Sequence, residues 1–262
     1  MKAPEPDRGL LGAGTYARKQ LFGGVGLLSW SHGSRFRVGR ALLEPHAGGR
    51  LLDYGCGDGT FLALAHDLFP ECVGAEIDPR LVEECSARLG GLPGVSFVLT
   101  EALRDAPDGS FDAAVCMEVL EHCTPPRADE VLAELHRLVR PDGVVLISVP
   151  VETGLPLLVK QSVRALAAAR GCGDYRHRER YSPGELARMV CARMGTTIPR
   201  PVYRADFSPD RPNEYHGHKG FNWRVLCAEV EERFFLVDTR FSPLNLGTSQ
   251  LASQVWLVCR PR

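Results

Sequence analysis

An aspartate followed by three closely spaced glycines is the first group of residues that could do chemistry. Asp53 ends an apolar run, and Gly55, Gly57 and Gly59 follow it at alternate positions. Glycines there let the backbone turn sharply and approach a ligand closely. A carboxylate gains nothing beside a pyrophosphate, but it attracts an ammonium or sulfonium group by opposite charge. This group of residues therefore favours a cationic ligand over a dinucleotide.

A second acid, Glu76, ends the next apolar run along the chain. An acidic side chain at the end of the second strand of such a fold can accept both hydroxyls of a ribose. Asp78 and Pro79 follow, and a proline at that place suits the first turn of a helix. A cationic cofactor that carries a ribose fits these residues better than NAD does.

Two glutamates and a histidine follow a later apolar run. Glu118, Glu121 and His122 are spaced i, i+3, i+4, which predicts that they share one face at the start of a helix. Three interpretations are open. The residues pack against the edge of the cofactor, or His122 is a general base for an acceptor hydroxyl or amine. The third is a divalent cation bound by the two carboxylates and the imidazole.

Four segments, taken in order, resemble the successive motifs of class I S-adenosylmethionine-dependent methyltransferases. They are residues 53–59, 73–78, 110–112 with 118–122, and 138–143, and they lie within roughly residues 50–150. The resemblance implies an α/β fold, a Rossmann-like doubly wound and mostly parallel sheet. It also implies that the cofactor is S-adenosyl-L-methionine.

The resemblance further implies which residues bind the cofactor. Asp53 and the glycines would hold its methionine end, and Glu76 its ribose. Glu101 and Ala102 would lie near the adenine, although the family usually has Asp where Glu101 stands. The predicted cofactor-binding residues are Asp53, Gly55, Cys56, Gly57, Gly59, Glu76, Ile77, Glu101, Ala102, Met117 and Glu118.

Metal-dependent relatives have a similar Glu-x-x-Glu-His at the third motif. These are the ubiquinone-pathway O-methyltransferases and the small-RNA 2′-O-methyltransferases; in the RNA enzymes another histidine arrives from a later segment. Residues 216–223 loosely resemble that segment. Relatives for which no metal is implied share the motif, so we predict no metal. The alternative ligand set is Glu118, Glu121, His122 and His218.

The acceptor is expected to contact residues that follow the fifth strand. Residues 150–220 are rich in Arg, Pro and His, and we predict that they form a helical lid, a substrate-cap insertion without strands. Residues 174–181 could recognise an anionic or hydroxylated acceptor, or could form a solvated, salt-bridged loop. The predicted acceptor-binding residues are Glu152, Tyr175, Arg178, Tyr181 and His218.

The predicted reaction is direct in-line transfer of a methyl group from S-adenosylmethionine to a small-molecule, sugar or lipid-linked acceptor, at oxygen. His122 is the first candidate for the base, and His177 is the second. One alternative is a Mg²⁺-dependent enzyme acting on a catechol-like or RNA ribose hydroxyl. Another is a non-catalytic cofactor-binding protein. Asp53 and the glycine spacing argue against an NAD-dependent oxidoreductase.

The elements that must position these residues follow from the apolar pattern. Short apolar runs alternate with amphipathic stretches from residue 50 onward, which predicts βα units around a parallel sheet. We predict strands at 50–54, 72–77, 95–99, 112–117, 144–149, 234–241 and 254–259. We predict helices at 35–43, 60–68, 81–89, 128–139, 155–169, 183–194 and 222–233. Residues 1–262 would form one domain, with a helical N-terminal extension over 1–45. Within that extension, residues 30–36 could close over the cofactor or pack on the core.

Charge and cysteine usage limit the partners and the compartment. The chain has 262 residues, with 31 Lys plus Arg against 32 Asp plus Glu. This balance disfavours a nucleic-acid partner, which usually requires a basic excess. Nine cysteines without CxxC spacing indicate free thiols, and the apolar stretch at 21–30 is too short to span a bilayer. We predict a cytoplasmic monomer or weak homodimer with no membrane span and a small-molecule acceptor.

Overall fold

Seven strands form one mixed sheet, and two more form a separate ribbon. The computed structural model describes residues 26–169, 179–208 and 211–262. The strands are β1 (Arg50–Tyr54), β2 (Glu71–Glu76), β3 (Val95–Leu99), β4 (Phe111–Met117), β5 (Val139–Pro150), β6 (Val202–Ser208), β7 (Arg211–His216), β8 (Phe234–Ser242) and β9 (Gln254–Pro261). The order in the main sheet is β3-β2-β1-β4-β5-β9-β8, and β9 runs in the direction opposite to the other six strands of this sheet. The predicted Rossmann-like, mostly parallel sheet is confirmed.

Helices cover both faces of this sheet. They are α1 (Gly26–Leu43), α2 (Thr60–Ala65), α3 (Pro79–Leu89), α4 (Pro125–Leu138), α5 (Gly154–Ala169), α6 (Pro183–Val190) and α7 (Trp223–Glu231). Buried residues of α1 and α2 join one apolar core, and those of α4 and α7 join the other. Neighbouring residues of one strand, such as Leu51 and Leu52, enter opposite cores because side chains alternate across a strand. The sheet is therefore apolar on both faces, as a parallel sheet between helices must be.

Close approach of α1 to the sheet depends on a glycine. A Cβ atom on Gly39 would lie 2.7 Å from Cη2 of Trp256, a fully buried residue of β9. Arg35 and Phe36, one helical turn before Gly39, are also buried. Helix α1 consequently lies across the sheet, where it can reach the ligand edge. Residues 1–25 of the predicted extension lie outside the described part of the chain.

The segment that follows β5 is not the strand-free lid that we predicted. It contains α5 and α6, as expected, but also the antiparallel pair β6 and β7. The sequence of these strands does not alternate between apolar and polar residues. This agrees with their exposure, since the side chains of residues 202–204, 214 and 215 are all exposed. Their pairing brings Tyr203 and Tyr215 together, with ring centroids 5.6 Å apart. Cross-strand pairs of this kind stabilise a ribbon without burying a face.

Several boundaries differ from the sequence prediction for local reasons. The helix predicted over 60–68 ends at Ala65, and a 3-10 turn covers His66–Leu68. Helix α4 begins earlier than predicted, at Pro125, whose ring suits a first helical turn. Helix α3 begins at Pro79 as expected, and the Asp78 carboxylate accepts a hydrogen bond from the backbone N–H of Arg80 at 3.0 Å. Among residues 26–169, 179–208 and 211–262, we find no helix with the length and hydropathy that a membrane span requires.

Candidate functional site

A cavity of about 190 Å³ opens at the carboxyl edge of the sheet, beside the ends of β1 and β4. Open α/β sheets bind ligands at this edge because the connections there diverge from one another. The cavity walls come from the end of β1, the glycine loop, α1, α2 and the end of β4. The lining residues are Arg35, Phe36, Asp53, Gly55, Cys56, Gly57, Asp58, Thr60, Phe61, Met117 and Glu118.

The glycine loop takes a backbone path that favours glycine. Gly55, Gly57 and Gly59 have φ values of 77°, 55° and 69°, in the left-handed region. A Cβ atom on Gly55 would also lie 2.4 Å from Cγ2 of Val119. Position 55 therefore requires glycine both for its backbone conformation and for lack of space. Gly55 and Gly57 line the cavity, so a ligand there can contact the backbone of the loop.

Glu76 holds this loop in place. Its Oε2 accepts a hydrogen bond from the backbone N–H of Gly57 at 2.9 Å. Its Oε1 accepts from the N–H groups of Ile77 at 2.7 Å and Asp78 at 3.3 Å. Glu76 is buried and is not among the residues that line the cavity. Binding of ribose hydroxyls by Glu76 stays a prediction, to which the structure adds a role in fixing the loop.

Asp53 is a buried acid at the floor of the cavity. Its side chain is almost fully buried, and its Oδ2 has no hydrogen-bond partner among the described residues. Burial, followed by the nearby carboxylates of Glu76 and Asp58, raises the pKa of Asp53 to about 7. An acid in this state is poised to ionise when a cation arrives, because a positive charge favours the carboxylate. The site is therefore built for a positively charged ligand.

Glu118 joins the cavity to helix α1. It has a positive φ of 57°, an uncommon conformation for a residue with a side chain. Its Oε1 accepts a hydrogen bond from the Ser148 hydroxyl at 3.1 Å, and its Oε2 lies 3.1 Å from Nη1 of the nearly buried Arg35. This unusual backbone turns the Glu118 carboxylate toward the cavity and away from the residues that follow it.

A second cluster forms next to the cavity from residues far apart in sequence. Potential ligand atoms of Glu121, His122 and His218 all lie within 4.8 Å of one another. Glu121 is fully buried, and neither of its carboxylate oxygens has a hydrogen-bond partner in the described part of the chain. Burial, and then the Glu118 carboxylate, raises the pKa of Glu121 well above its ordinary value. A cation between these side chains would satisfy the unpaired oxygens.

Both histidines of the cluster have one ring nitrogen already engaged. The Nδ1 of His122 donates to the backbone carbonyl of His216 at 2.8 Å. The Nδ1 of His218 lies 3.4 Å from Oε1 of Glu152. The two rings are 5.0 Å apart. The Nε2 of His122 lies 3.7 Å from Oε1 of Glu121. A ring that is protonated at Nδ1 keeps a lone pair at Nε2, as a metal ligand or a base requires.

Burial lowers the pKa of His122, although the bond to the His216 carbonyl opposes that shift. The neutral imidazole is the form that both metal binding and base catalysis require. His122 is therefore compatible with either of its two predicted roles.

The predicted helical face of Glu118, Glu121 and His122 is wrong. Leu120–His122 form a 3-10 turn, and helix α4 begins only at Pro125. The left-handed backbone at Glu118 separates that residue from the other two. Glu118 faces the cavity, whereas Glu121 and His122 meet His218, so Glu118 is not part of the cluster that could hold a metal.

Other predicted site residues lie elsewhere. Glu101 and Ala102 are exposed on a 3-10 turn, Thr100–Asp105, outside the cavity wall. Glu152 is fully buried in an ion cluster. The hydroxyl of Tyr181 accepts from the backbone N–H of Gly220 at 3.0 Å, so it anchors the loop that carries His218. The predicted residues Tyr175, His177 and Arg178 lie outside the described residues.

Two arginines were missed by the sequence prediction as site residues. Arg35 lines the cavity; its stretch, residues 30–36, was expected to close over the cofactor or to pack on the core, but Arg35 was not among the predicted site residues. Arg200 donates to the backbone carbonyls of Glu121 and Gly217, which ties the two loops of the histidine cluster together. No local signal marks Arg200, because its partners are backbone atoms of distant segments.

Residues 35–197 match the model of a family described as methyltransferase domain, which is more than half of the chain. The chain belongs to the class I S-adenosylmethionine-dependent methyltransferases. The predicted resemblance is thereby confirmed. The matched residues contain the cavity, the glycine loop and two of the three clustered side chains.

Individual methyltransferases agree with this assignment. A ubiquinone biosynthesis O-methyltransferase of Xanthomonas oryzae is 31% identical over 150 residues, 54% of this chain. The match spans 60% of the length of that curated relative. The N-methyltransferase NodS of Bradyrhizobium japonicum, solved with S-adenosyl-L-homocysteine, has a TM-score of 0.52 at 12% identity and covers 88% of this chain and 87% of that chain. The DhpI-SAM-HEP complex has a TM-score of 0.55 at 15% identity and covers 94% and 92%. These two structures share the methyltransferase fold with this chain.

Proposed function

We propose that this methyltransferase transfers a methyl group from S-adenosylmethionine to a hydroxyl of a small molecule, with a divalent cation at Glu121, His122 and His218. The observation that carries the proposal is the buried Glu121 carboxylate, which lies beside two histidines and whose oxygens accept no hydrogen bond from the described residues. Its Oε1 lies 3.7 Å from Nε2 of His122. The proposal favours the metal-dependent alternative over our prediction of no metal. The name of the Xanthomonas relative, an O-methyltransferase, supports oxygen as the methylated atom.

The cavity supplies the binding groups for the methyl donor. S-adenosylmethionine carries an ammonium and a sulfonium, and the sulfonium provides the chemical drive for transfer. The buried Asp53 offers the opposite charge, and the glycine loop offers close backbone contact. Arg35 and Glu118, joined by an ion pair at 3.1 Å, form one wall of the cavity. The protein's main contribution is then alignment of the acceptor with the methyl group.

The donor set of the cluster fits a cation of a particular kind. Two imidazoles and one carboxylate suit Mn²⁺, Fe²⁺ or Co²⁺ better than Mg²⁺, which prefers oxygen ligands. Such a cation would polarise a bound hydroxyl and lower its pKa, so that an oxygen nucleophile forms near neutral pH. The described residues supply three ligands from this cluster, which leaves coordination positions for acceptor oxygens. An acceptor with two adjacent hydroxyls, such as a catechol, would use two of them.

The alternative in which His122 is a base without a metal makes a different demand. A base needs the His122 ring and its bond to the His216 carbonyl, but it needs neither Glu121 nor His218 as a ligand. In that case the Glu121 carboxylate, 3.7 Å from Nε2 of His122, would act only on the charge of the ring. Near-zero net charge, −1, continues to favour a small acceptor over RNA.

Label transfer from methyl-labelled S-adenosylmethionine tests the proposal. A catechol and the matched monophenol serve as acceptors, with Mn²⁺ or with a chelator. We expect transfer to the catechol, and a loss of about 100-fold or more on chelation or in Glu121→Gln. Glu134→Gln, which breaks a remote ion pair with Arg137, is the matched control and should keep the rate.

Two outcomes would contradict the proposal. Rates that survive both chelation and Glu121→Gln, but not His122→Gln, would establish the base mechanism. Tight binding of S-adenosylmethionine with no label transfer to any acceptor, in the presence of each metal, would favour a non-catalytic cofactor-binding protein.

A further inference from the structure

Glu152 was expected to contact the acceptor, but the structure buries it behind His218. Its side chain has no exposed surface, and Oε1 lies 3.4 Å from the Nδ1 of His218. A fully buried carboxylate cannot meet a substrate in this state. Its contact with a histidine of the cluster requires another explanation.

The ring of His218 depends on this carboxylate for its orientation. The backbone around His218 is fixed by other groups: the N–H of Lys219 donates to Glu179 at 2.7 Å, and the N–H of Gly220 donates to Tyr181 at 3.0 Å. These bonds hold the chain but leave the side chain free to rotate. The hydrogen bond that the structure gives to the imidazole is the one to Glu152.

The carboxylate is itself held rigidly. Oε1 of Glu152 lies 3.0 Å from Nζ of Lys160 and 3.1 Å from Nη2 of Arg164, both on helix α5. The Lys160 ammonium also donates to the carbonyls of Val151 at 3.0 Å and Ser253 at 3.1 Å. Two cations keep Glu152 ionised and therefore able only to accept. The ring nitrogen that faces it must then carry the hydrogen.

We infer that Glu152 is a positioning residue, which fixes His218 with Nδ1 protonated and Nε2 directed to the site of the cation. This inference rests on the proposed function as far as the cation is concerned. A carboxylate behind a ligand histidine is a common device in metal sites, because it sets the tautomer and raises the basicity of the ligand nitrogen. The sequence places Glu152 and His218 in segments far apart, and the ion cluster links helix α5 to the site.

Nitrogen NMR of the histidine rings tests the positioning without any metal. Spectra of the metal-free full chain at pH 8 distinguish a ring that is protonated at Nδ1 from one that is protonated at Nε2. We expect the Nδ1-protonated form for His218 in the unaltered chain and in Glu152→Gln, whose amide oxygen still accepts. We expect a shift toward the Nε2-protonated form in Glu152→Ala. Protonation of His218 at Nε2 in the unaltered chain would overturn the inference.

Metal titration gives the second readout. Binding of Mn²⁺, followed by electron paramagnetic resonance, should weaken about 10- to 100-fold in Glu152→Ala and less in Glu152→Gln. Affinity for S-adenosylmethionine should stay within about twofold in both, since neither touches the cavity. Glu134→Gln should leave both affinities unchanged.

The two hypotheses fail in different ways. If the unaltered chain binds no Mn²⁺, the proposed metal function is wrong, and the ring spectra alone decide the role of Glu152. If the unaltered chain binds Mn²⁺ and a folded Glu152→Ala binds it equally well, the role of Glu152 is wrong and the metal function stands. If Glu152→Ala does not fold, the ring spectrum of the unaltered chain decides: protonation of His218 at Nδ1 would support the inference, and protonation at Nε2 would overturn it.

Discussion

Replacing Asp53 by asparagine is expected to move two measured quantities in opposite directions. The substitution keeps the shape of the side chain and removes its charge. Asp53 is buried and its pKa is raised to about 7. The ionised carboxylate therefore has a higher free energy in the folded protein without ligand than in the unfolded chain. The asparagine variant should therefore be more stable than the unaltered chain without ligand, and should bind S-adenosylmethionine more weakly.

The size of the stability effect follows from the pKa. A rise from 3.8 to about 7 corresponds to about 4 kcal/mol when the group is charged in both folded and unfolded states, which is the case at pH 8. The buried amide of the asparagine lacks hydrogen-bond partners, which reduces the gain in the free energy of unfolding by about 1–3 kcal/mol. We expect a net gain of about 1–3 kcal/mol in the free energy of unfolding at pH 8. For a chain of this size the melting temperature should rise by about 2–10 °C.

The pH dependence has a definite sign. An acid whose pKa is raised by folding binds its proton more tightly in the folded state, so its contribution to stability falls as pH rises from about 4 to about 7. The stability advantage of the asparagine variant over the unaltered chain should fall by about 2–3 kcal/mol on going from pH 8 to pH 5, to about zero or below. Scanning calorimetry without ligand at the two pH values measures it.

The binding effect runs the other way. Loss of the opposite charge should weaken S-adenosylmethionine binding by about 10- to 100-fold at pH 8, the value of a charged hydrogen bond. The unaltered chain should itself lose about tenfold in affinity between pH 8 and pH 6, because only about a tenth of Asp53 is ionised at pH 6. The asparagine variant should lack that pH dependence. Titration calorimetry at pH 6 and pH 8 measures both effects.

The exposed acid Glu232 provides the control, since Glu232→Gln changes charge by the same amount at the end of α7 and Glu232 does not line the cavity. It should alter neither melting nor binding. A lower melting temperature of Asp53→Asn at pH 8, together with unchanged affinity for S-adenosylmethionine, would refute the electrostatic reasoning. It would show that the carboxylate stabilises the fold and does not serve the ligand.

Three further substitutions test other parts of the site and fold. Gly55→Ala should lower the free energy of unfolding, measured by denaturant titration, by about 2 kcal/mol or more and should weaken cofactor binding, because the added methyl group strains the backbone and collides with Val119. Gly91→Ala is the control: its methyl group would meet open space, so the free energy of unfolding should be unchanged. Glu118→Gln should cost about 1–3 kcal/mol in cofactor affinity, measured by titration calorimetry, by breaking a nearly buried ion pair at the cavity wall; unchanged affinity would remove that wall from the site. Leu135→Ala should cost about 2–5 kcal/mol of stability by opening a hole in the core, and the turnover rate well below the melting temperature should be unaltered; a large drop in rate would mean that the core and the site are coupled.

Buried acids are the feature that joins these predictions. Asp53 and Glu121 are both buried, and each has at least one carboxylate oxygen without a partner among the described residues. Such groups cost stability in the absence of a ligand and mark functional sites for that reason. Glu152, by contrast, is buried with two cations that hold its pKa below the ordinary value even though burial opposes that shift. We therefore expect Asp53 and Glu121 to bind a cationic ligand or a metal ion, whereas Glu152 is already paired with Lys160 and Arg164.

The sequence by itself determined the sheet and the ligand edge. Apolar runs alternating with amphipathic stretches specified parallel strands between helices, and the strand over Val95–Leu99 has the predicted bounds. Parallel strands end at one edge, so Asp53, the glycine turn and Glu76 had to meet there. This inference needed only local patterns, because each βα unit is a short-range structure. The strands β6 and β7 of the insertion were harder to predict, since most of their described side chains are exposed.

Only the tertiary structure decided which side chains meet at the second cluster. Glu121 and His122 lie on a turn after β4, His218 follows β7, and Glu152 follows β5. Their contact depends on how the insertion folds back over the sheet edge, which no local spacing encodes. A left-handed residue, Glu118, breaks the helical spacing that the sequence implied. Residue types show which chemistry is possible, but burial and hydrogen bonding between distant segments decide which carboxylate is free to bind a cation.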